Sequence, residues 1–133
     1  MSYTNNPTSI LAGAGITVAP TTGTGANTIT ISSSGVQSVA VRIAVATPVT
    51  VSGTTDDVVA VQVPGPVAVA VNLPAGVAGK VITIKDGLGL AAPATPITVT
   101  PAAGTIDGAA TATINAPFGS LTLVYDGVQW ILI

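Results

Sequence analysis

The sequence predicts an all-β protein: an antiparallel β-sandwich or barrel-like domain behind an extended N-terminal arm and hairpin. Three observations point there. Short runs rich in Val, Ile and Thr recur along all 133 residues, and such residues fit a pleated, half-buried surface. Fifteen glycines and ten prolines punctuate those runs at the short spacing of a sandwich or barrel. No segment carries an apolar stripe at helical spacing with capping signals over about 10 residues.

Residues 1–9 read as an extended arm, with Asn6-Pro7 fixing a turn or polyproline geometry. Ile10-Leu11 and Ile16-Thr17-Val18 read as short strands around Ala12-Gly13-Ala14-Gly15. Residues 20–27 form a loop, and Thr28 to Ser32 alternates with period two, as a strand does. Ser32-Ser33-Ser34-Gly35 is the linker candidate, which divides the chain into 1–35 and 36–133.

In the second part, Val36 to Ile43 alternates Gln37, Val39, Val41 and Ile43 against Ser38, Ala40 and Arg42. Val49–Ser52 and Val58–Val63 follow, the latter ended by Pro64-Gly65-Pro66. Val67–Leu73 shows a branched face (Val67, Val69, Val71, Leu73) and a small face (Ala68, Ala70). Val81–Lys85, Ile97–Thr100, Thr111–Asn115, Ser120–Tyr125 and Val128–Ile133 complete the set. Asp126-Gly127 separates the last two. Asp-Gly between apolar runs signals a tight type I′ hairpin, which needs positive φ at both central positions.

Charged residues make up 6% of the chain, against about 25% in ordinary globular proteins. A lone small domain of this kind would expose apolar surface and associate. Val58–Val63, Leu121–Tyr125 and Trp130–Ile133 are apolar on both faces, so a second layer must cover them. Both features predict an obligate oligomer.

Several function classes fall away. Net charge is −2, with Arg42, Lys80 and Lys85 the only cations; a nucleic-acid footprint needs clustered Lys and Arg. The sequence holds no Cys, His or Glu, which removes the usual nucleophile–base pairs and zinc ligands. No catalytic residue, cofactor site or metal site is expected. No run reaches the about 20 apolar residues of a spanning helix, and no aromatic girdle marks a membrane barrel, so no membrane insertion is expected. The polar start, Ser2 to Thr8, is not a signal peptide.

Asp86-Gly87, Asp107-Gly108 and Asp126-Gly127 read as turn chemistry rather than calcium ligands. Asp56 and Asp57 are adjacent and point to opposite faces of an extended chain, which predicts a solvated turn. Gly87 to Ala92 matches a dinucleotide fingerprint in form, but Pro93 and Pro96 forbid the helix it requires. Trp130, Tyr125 and Phe118 are either a sugar-stacking platform or, more in keeping with how aromatics behave, core and interface anchors.

Gly79–Gly87, Pro96–Pro101, Thr105–Ala109, Ala112–Asn115, Gly119–Gly127 and Trp130–Ile133 follow, in order, a pattern that resembles a β domain of tailed-bacteriophage virion surfaces. That domain occurs in tail-fibre C-terminal regions and in small head-decoration proteins. Leu11–Val18 and Asn27–Ser32 are similar to a Gly-rich hairpin of the same proteins. The Ala/Val-rich stretch 36–73 departs from the pattern.

The resemblance implies an intertwined homotrimer on the capsid surface of the virion, made in the host cytoplasm, with the major capsid protein as partner. Tyr3, Asn5, Asn6, Pro7, Ile10 and Leu11 of the arm would then contact the capsid. Val67, Val69, Val71, Leu121, Leu123, Tyr125, Trp130, Ile131 and Ile133 would form the trimer interface and core. The alternative is a tail-fibre protein whose partner is a host glycan or receptor.

Overall fold

A computed structural model describes residues 16–20, 29–33 and 38–133. The chain divides into two compact units, Met1–Ser38 and Val39–Ile133. In the first, β1 (Ile16–Pro20) and β2 (Ile29–Ser33) pair antiparallel, Ile16 opposite Ser33 and Pro20 opposite Ile29. The arm residues Tyr3, Asn5, Asn6, Pro7, Ile10 and Leu11 lie outside the described residues.

The second unit contains β3 (Val41–Ala44), β4 (Val49–Thr50), β5 (Val58–Val61), β6 (Val69–Asn72), β7 (Val81–Asp86), β8 (Ile97–Thr100), β9 (Ala112–Ile114), β10 (Ser120–Tyr125) and β11 (Trp130–Leu132). Among the described residues there is no helix. The strands form a five-stranded sheet, β11-β10-β7-β5-β3, and a four-stranded sheet, β4-β6-β8-β9.

From β3 to β8 the chain alternates between the sheets, and each new strand lands beside the previous one of its own sheet. These neighbours are parallel: β3 with β5, β5 with β7, β4 with β6, β6 with β8. Within this unit β8–β9, β7–β10 and β10–β11 are the antiparallel pairs. The expected antiparallel, barrel-like arrangement is therefore corrected to two mixed sheets with no closed barrel. The reason is geometric. A parallel pair needs a long crossover, ordinarily a helix; here a strand of the opposite sheet supplies it, so the winding stays all-β.

Within each sheet the spatial order follows the chain order, so the unit grows from the β3/β4 end towards the β9/β11 end. Register fixes which side chains face inward. Val59, Ile84 and Leu121 share one inner row of the larger sheet; Ile82, Leu123 and Leu132 share the next. Val49, Val71, Val99 and Ala112 face them from the smaller sheet, beside Val69, Ile97 and Ile114. Ile82, Ile84, Leu123, Val71 and Val99 are completely shielded from solvent. Each such side chain contributes about 1.5–3 kcal/mol relative to an exposed one.

Two turns differ from expectation. Asp126-Gly127 sits in a four-residue loop, not a two-residue one: Tyr125 pairs with Trp130, and Asp126 N–H donates to the Gln129 carbonyl. The Asp126 carboxylate accepts the Val128 and Gln129 N–H groups, which draws Val128 out of the strand and leaves it exposed. The type I′ geometry occurs instead at Asp107-Gly108, with φ of 47° and 79°. Ile106 and Ala109 exchange two backbone hydrogen bonds around it.

Candidate interaction surface

The sequence contains eight charged side chains, and the fold engages every one. Arg42 donates to Asp56, at 2.9 Å, and to the Thr50 carbonyl. Asp56, only 2% exposed, also accepts Ser52 N–H, so in place of the expected solvated turn a buried carboxylate pairs with a partly exposed Arg42. Asp57, on the other face, accepts Ala40 N–H and the Lys80 ammonium. Lys85 donates to the Phe118 carbonyl. Asp107 accepts Leu132 N–H, and Asp126 holds its own loop. Among the described residues no three acids gather into a metal-sized cluster.

Asp86 is the most connected. Buried at the end of β7, its carboxylate accepts N–H groups of Leu88, Gly89, Ala91 and Phe118. Burial is the largest influence on its pKa and pushes it up. The bonds from Ala91, Phe118 and Leu88 together outweigh it and hold the carboxyl below the usual range. Asp86 thereby ties together two loops that carry Leu88, Leu90 and Phe118, all exposed. Phe118 adopts φ of 57°, a strained conformation for a bulky residue. Its ring lies against Gly89, where a β-carbon would stand 2.5 Å from the ring.

The three aromatics considered for sugar stacking are not brought together. Trp130 is fully buried, and its ring meets half-buried Tyr125 edge-on, with centroids 5.3 Å apart. Phe118 lies just before β10, whereas Tyr125 ends it. Of the candidate interface and core residues, Val69, Val71, Leu123 and Trp130 are buried. Leu121 and Tyr125 pack partly buried against the same core. Ile131 is half-buried on the outer face of the larger sheet, and Val67 and Ile133 are exposed.

The outer faces of the two sheets differ in chemistry. On the smaller sheet, Thr50, Asn72 and Thr100 form one row and Ala70, Thr98 and Thr113 the next. This is an ordinary solvated face. On the larger sheet the rows are Val41, Val58, Thr83, Thr122 and Ile43, Ala60, Lys85, Ser120, with Val81, Val124 and Ile131 beside them. Thr83 and Thr122 hydrogen-bond each other. The face is most apolar around β3, where Val41 and Ile43, with Val39 and Val45 just beyond the strand's two ends, are 59–65% exposed.

Among the described residues β3 and β4 are also edge strands, and an open groove of about 260 Å³ lies along them. The opposite edge is covered: residues 105–107 bond the backbone of Trp130, and Asp107 takes Leu132 N–H. The alternation of Val39, Val41 and Ile43 is legible in the sequence. Which side of the sheet it faces is not, because both faces of that sheet are apolar.

No protein-family model matches the chain, and no curated protein sequence matches it.

Proposed function

We propose that this chain is a structural, non-catalytic protein of a tailed-bacteriophage virion. It decorates the head as a homotrimeric cement protein and binds the major capsid protein through its N-terminal arm. The observation that carries this proposal is the group of exposed apolar side chains Val39, Val41, Ile43 and Val45 at one edge of the larger sheet, in a chain with only eight charged side chains. Such a surface suits permanent contact with other protein chains. A protein that binds the assembled shell and not its dissociated subunits stabilises the shell by mass action. Arms that reach several capsid subunits add avidity.

One observation favours a second role, a tail-fibre tip that contacts the host surface. The strands β3, β5 and β7 run parallel from the end where the chain enters at Val39, and the strained, exposed Phe118 lies at their far end. An exposed aromatic at that end supports a receptor-contact reading. Immunogold labelling of purified virions with antibody to this chain separates the two. Gold over the head is expected for the cement protein. Gold confined to the tail tip overturns that assignment in favour of receptor binding, and unlabelled particles overturn both.

A further inference from the structure

We propose that Asp126-Gly127 is a site of spontaneous backbone modification, where the aspartate carboxyl closes onto the glycine nitrogen and reopens as a β-linked isoaspartate. The fold selects this pair and protects the other two Asp-Gly pairs, Asp86-Gly87 and Asp107-Gly108.

Ring closure needs a carboxyl folded over the backbone that follows it and a following nitrogen free to approach. It is easiest where that nitrogen belongs to glycine, which has no β-carbon to shield it. The nitrogen lone pair forms a bond to the aspartate Cγ. The carboxyl hydroxyl leaves with the proton of the nitrogen, so one water is released and a five-membered succinimide remains. Water then adds back at either ring carbonyl. Addition at the main-chain carbonyl breaks its bond to the nitrogen, and the chain thereafter runs through the side-chain carboxyl. The composition is unchanged, and no oxidant, metal or second substrate takes part.

All three pairs offer a glycine, and geometry separates them. Asp86 is 2% exposed, with its carboxylate held by four N–H groups. Gly87 N–H donates to the Val61 carbonyl at 2.8 Å, which holds that nitrogen in place. Asp107 is exposed, but its carboxylate is turned to β11, where it accepts Leu132 N–H. Gly108 N–H donates to Gln129 Oε1 at 3.1 Å. At Asp126 neither restraint applies. Its Oδ1 accepts the Val128 and Gln129 N–H groups, both at 2.7 Å, so the carboxyl lies folded over its own following backbone. Gly127 N–H meets no acceptor among the described residues. Both residues of the pair are exposed, which admits water for the reopening step.

The modification has a structural consequence. It lengthens the backbone by one carbon and withdraws the acceptor from Val128 and Gln129. Gln129 ties this loop to residues 105–109, because its Oε1 accepts the Thr105 hydroxyl and Gly108 N–H. Isoaspartate at 126 therefore loosens the cover over β11.

The test is digestion with an endoproteinase that cuts before aspartate and not before isoaspartate. From the last third of the chain it releases 86–106, 107–125 and 126–133. The full chain is aged for weeks at about pH 5, where more of the carboxyl is protonated than at neutrality. A parallel sample is aged in guanidinium chloride, and both are digested beside fresh protein. In the folded sample, fragment 107–133 should accumulate severalfold faster than 57–106 or 86–125, and it should accept a methyl group from isoaspartyl methyltransferase. In denaturant all three junctions should become resistant at similar rates. Hydrogen exchange at the Gln129 and Gly108 amides should be severalfold faster in the modified fraction. Complete cleavage at 126 after ageing, an uncut fragment that takes no methyl group, or faster loss at 86 or 107 overturns the proposal. The same preference for 126 in the unfolded sample overturns selection by the fold, and unchanged exchange overturns the loosening of β11.

Discussion

Asp86 shows how much a single carboxylate can organise. Its four backbone donors come from two loops. Asp86→Ala strands those donors and is expected to lower stability by about 3 kcal/mol, read as a shift in the urea midpoint at constant slope. The folded carboxyl titrates below its unfolded value, so its stabilisation is full above the unfolded pKa of about 3.9 and fades as pH falls through the lower folded value. Asp57 and Asp126 are also lowered, Asp57 foremost by Lys80 and Asp126 foremost by Gln129 N–H, and act in the same direction. With no histidine in the chain, thermal stability should stay level from about pH 5 to 8 and drop only below about pH 4. Asp86→Ala should show a shallower acid decline than wild type. A midpoint that shifts across neutral pH would contradict this assignment.

At the scale of elements, close approaches constrain the loops. A β-carbon on Gly76 would stand 2.2 Å from the Tyr125 ring. Tyr125 in turn supports Trp130, so Gly76→Ala should cost about 1–3 kcal/mol by overpacking. A weakened Trp130 near-ultraviolet signal would accompany the loss; no change in stability would show that the loop yields freely. Gly89→Ala meets both a positive φ and the Phe118 ring. It should displace Phe118 while the remote Tyr125–Trp130 contact stays intact. If the cement role holds, Gly89→Ala leaves head binding unchanged; if Phe118 is a receptor contact, host adsorption falls. The same scale explains what was legible. Ile97–Thr100 and Ser120–Tyr125 coincide with their strands, because alternation and flanking turns agree there. Val128 was drawn into the loop because Asp126 takes its N–H, a bond that no residue pattern announces. Asp107-Gly108 makes the I′ turn although no long apolar run precedes it, so the usual hairpin signature was missing.

For the whole molecule, the distribution of charge governs assembly. Each charged side chain is hydrogen-bonded within the fold, and the exposed residues on and beside β3 are apolar, so the proposed association should be nearly independent of ionic strength. The dissociation constant of the proposed trimer should change by no more than roughly twofold between about 0.05 and 1 M NaCl, where the Debye length falls severalfold. Analytical ultracentrifugation would measure it. Salt-induced dissociation would instead point to an ion-paired interface.

The amino-acid sequence by itself determined that this protein is built of strands. β-branched periodicity, dense Gly and Pro and the lack of a helical stripe leave no other regular structure. It also determined that charge is scarce. The tertiary structure alone decided that β3, β5 and β7, like β4, β6 and β8, run parallel through alternating sheets. It alone decided that Val39, Val41, Ile43 and Val45 face outward while Val67–Leu73 turns Val69, Val71 and Leu73 into the core. The physical reason is that a period of two is the same for parallel and antiparallel strands and for either face of a sheet. Only the register between distant segments distinguishes them.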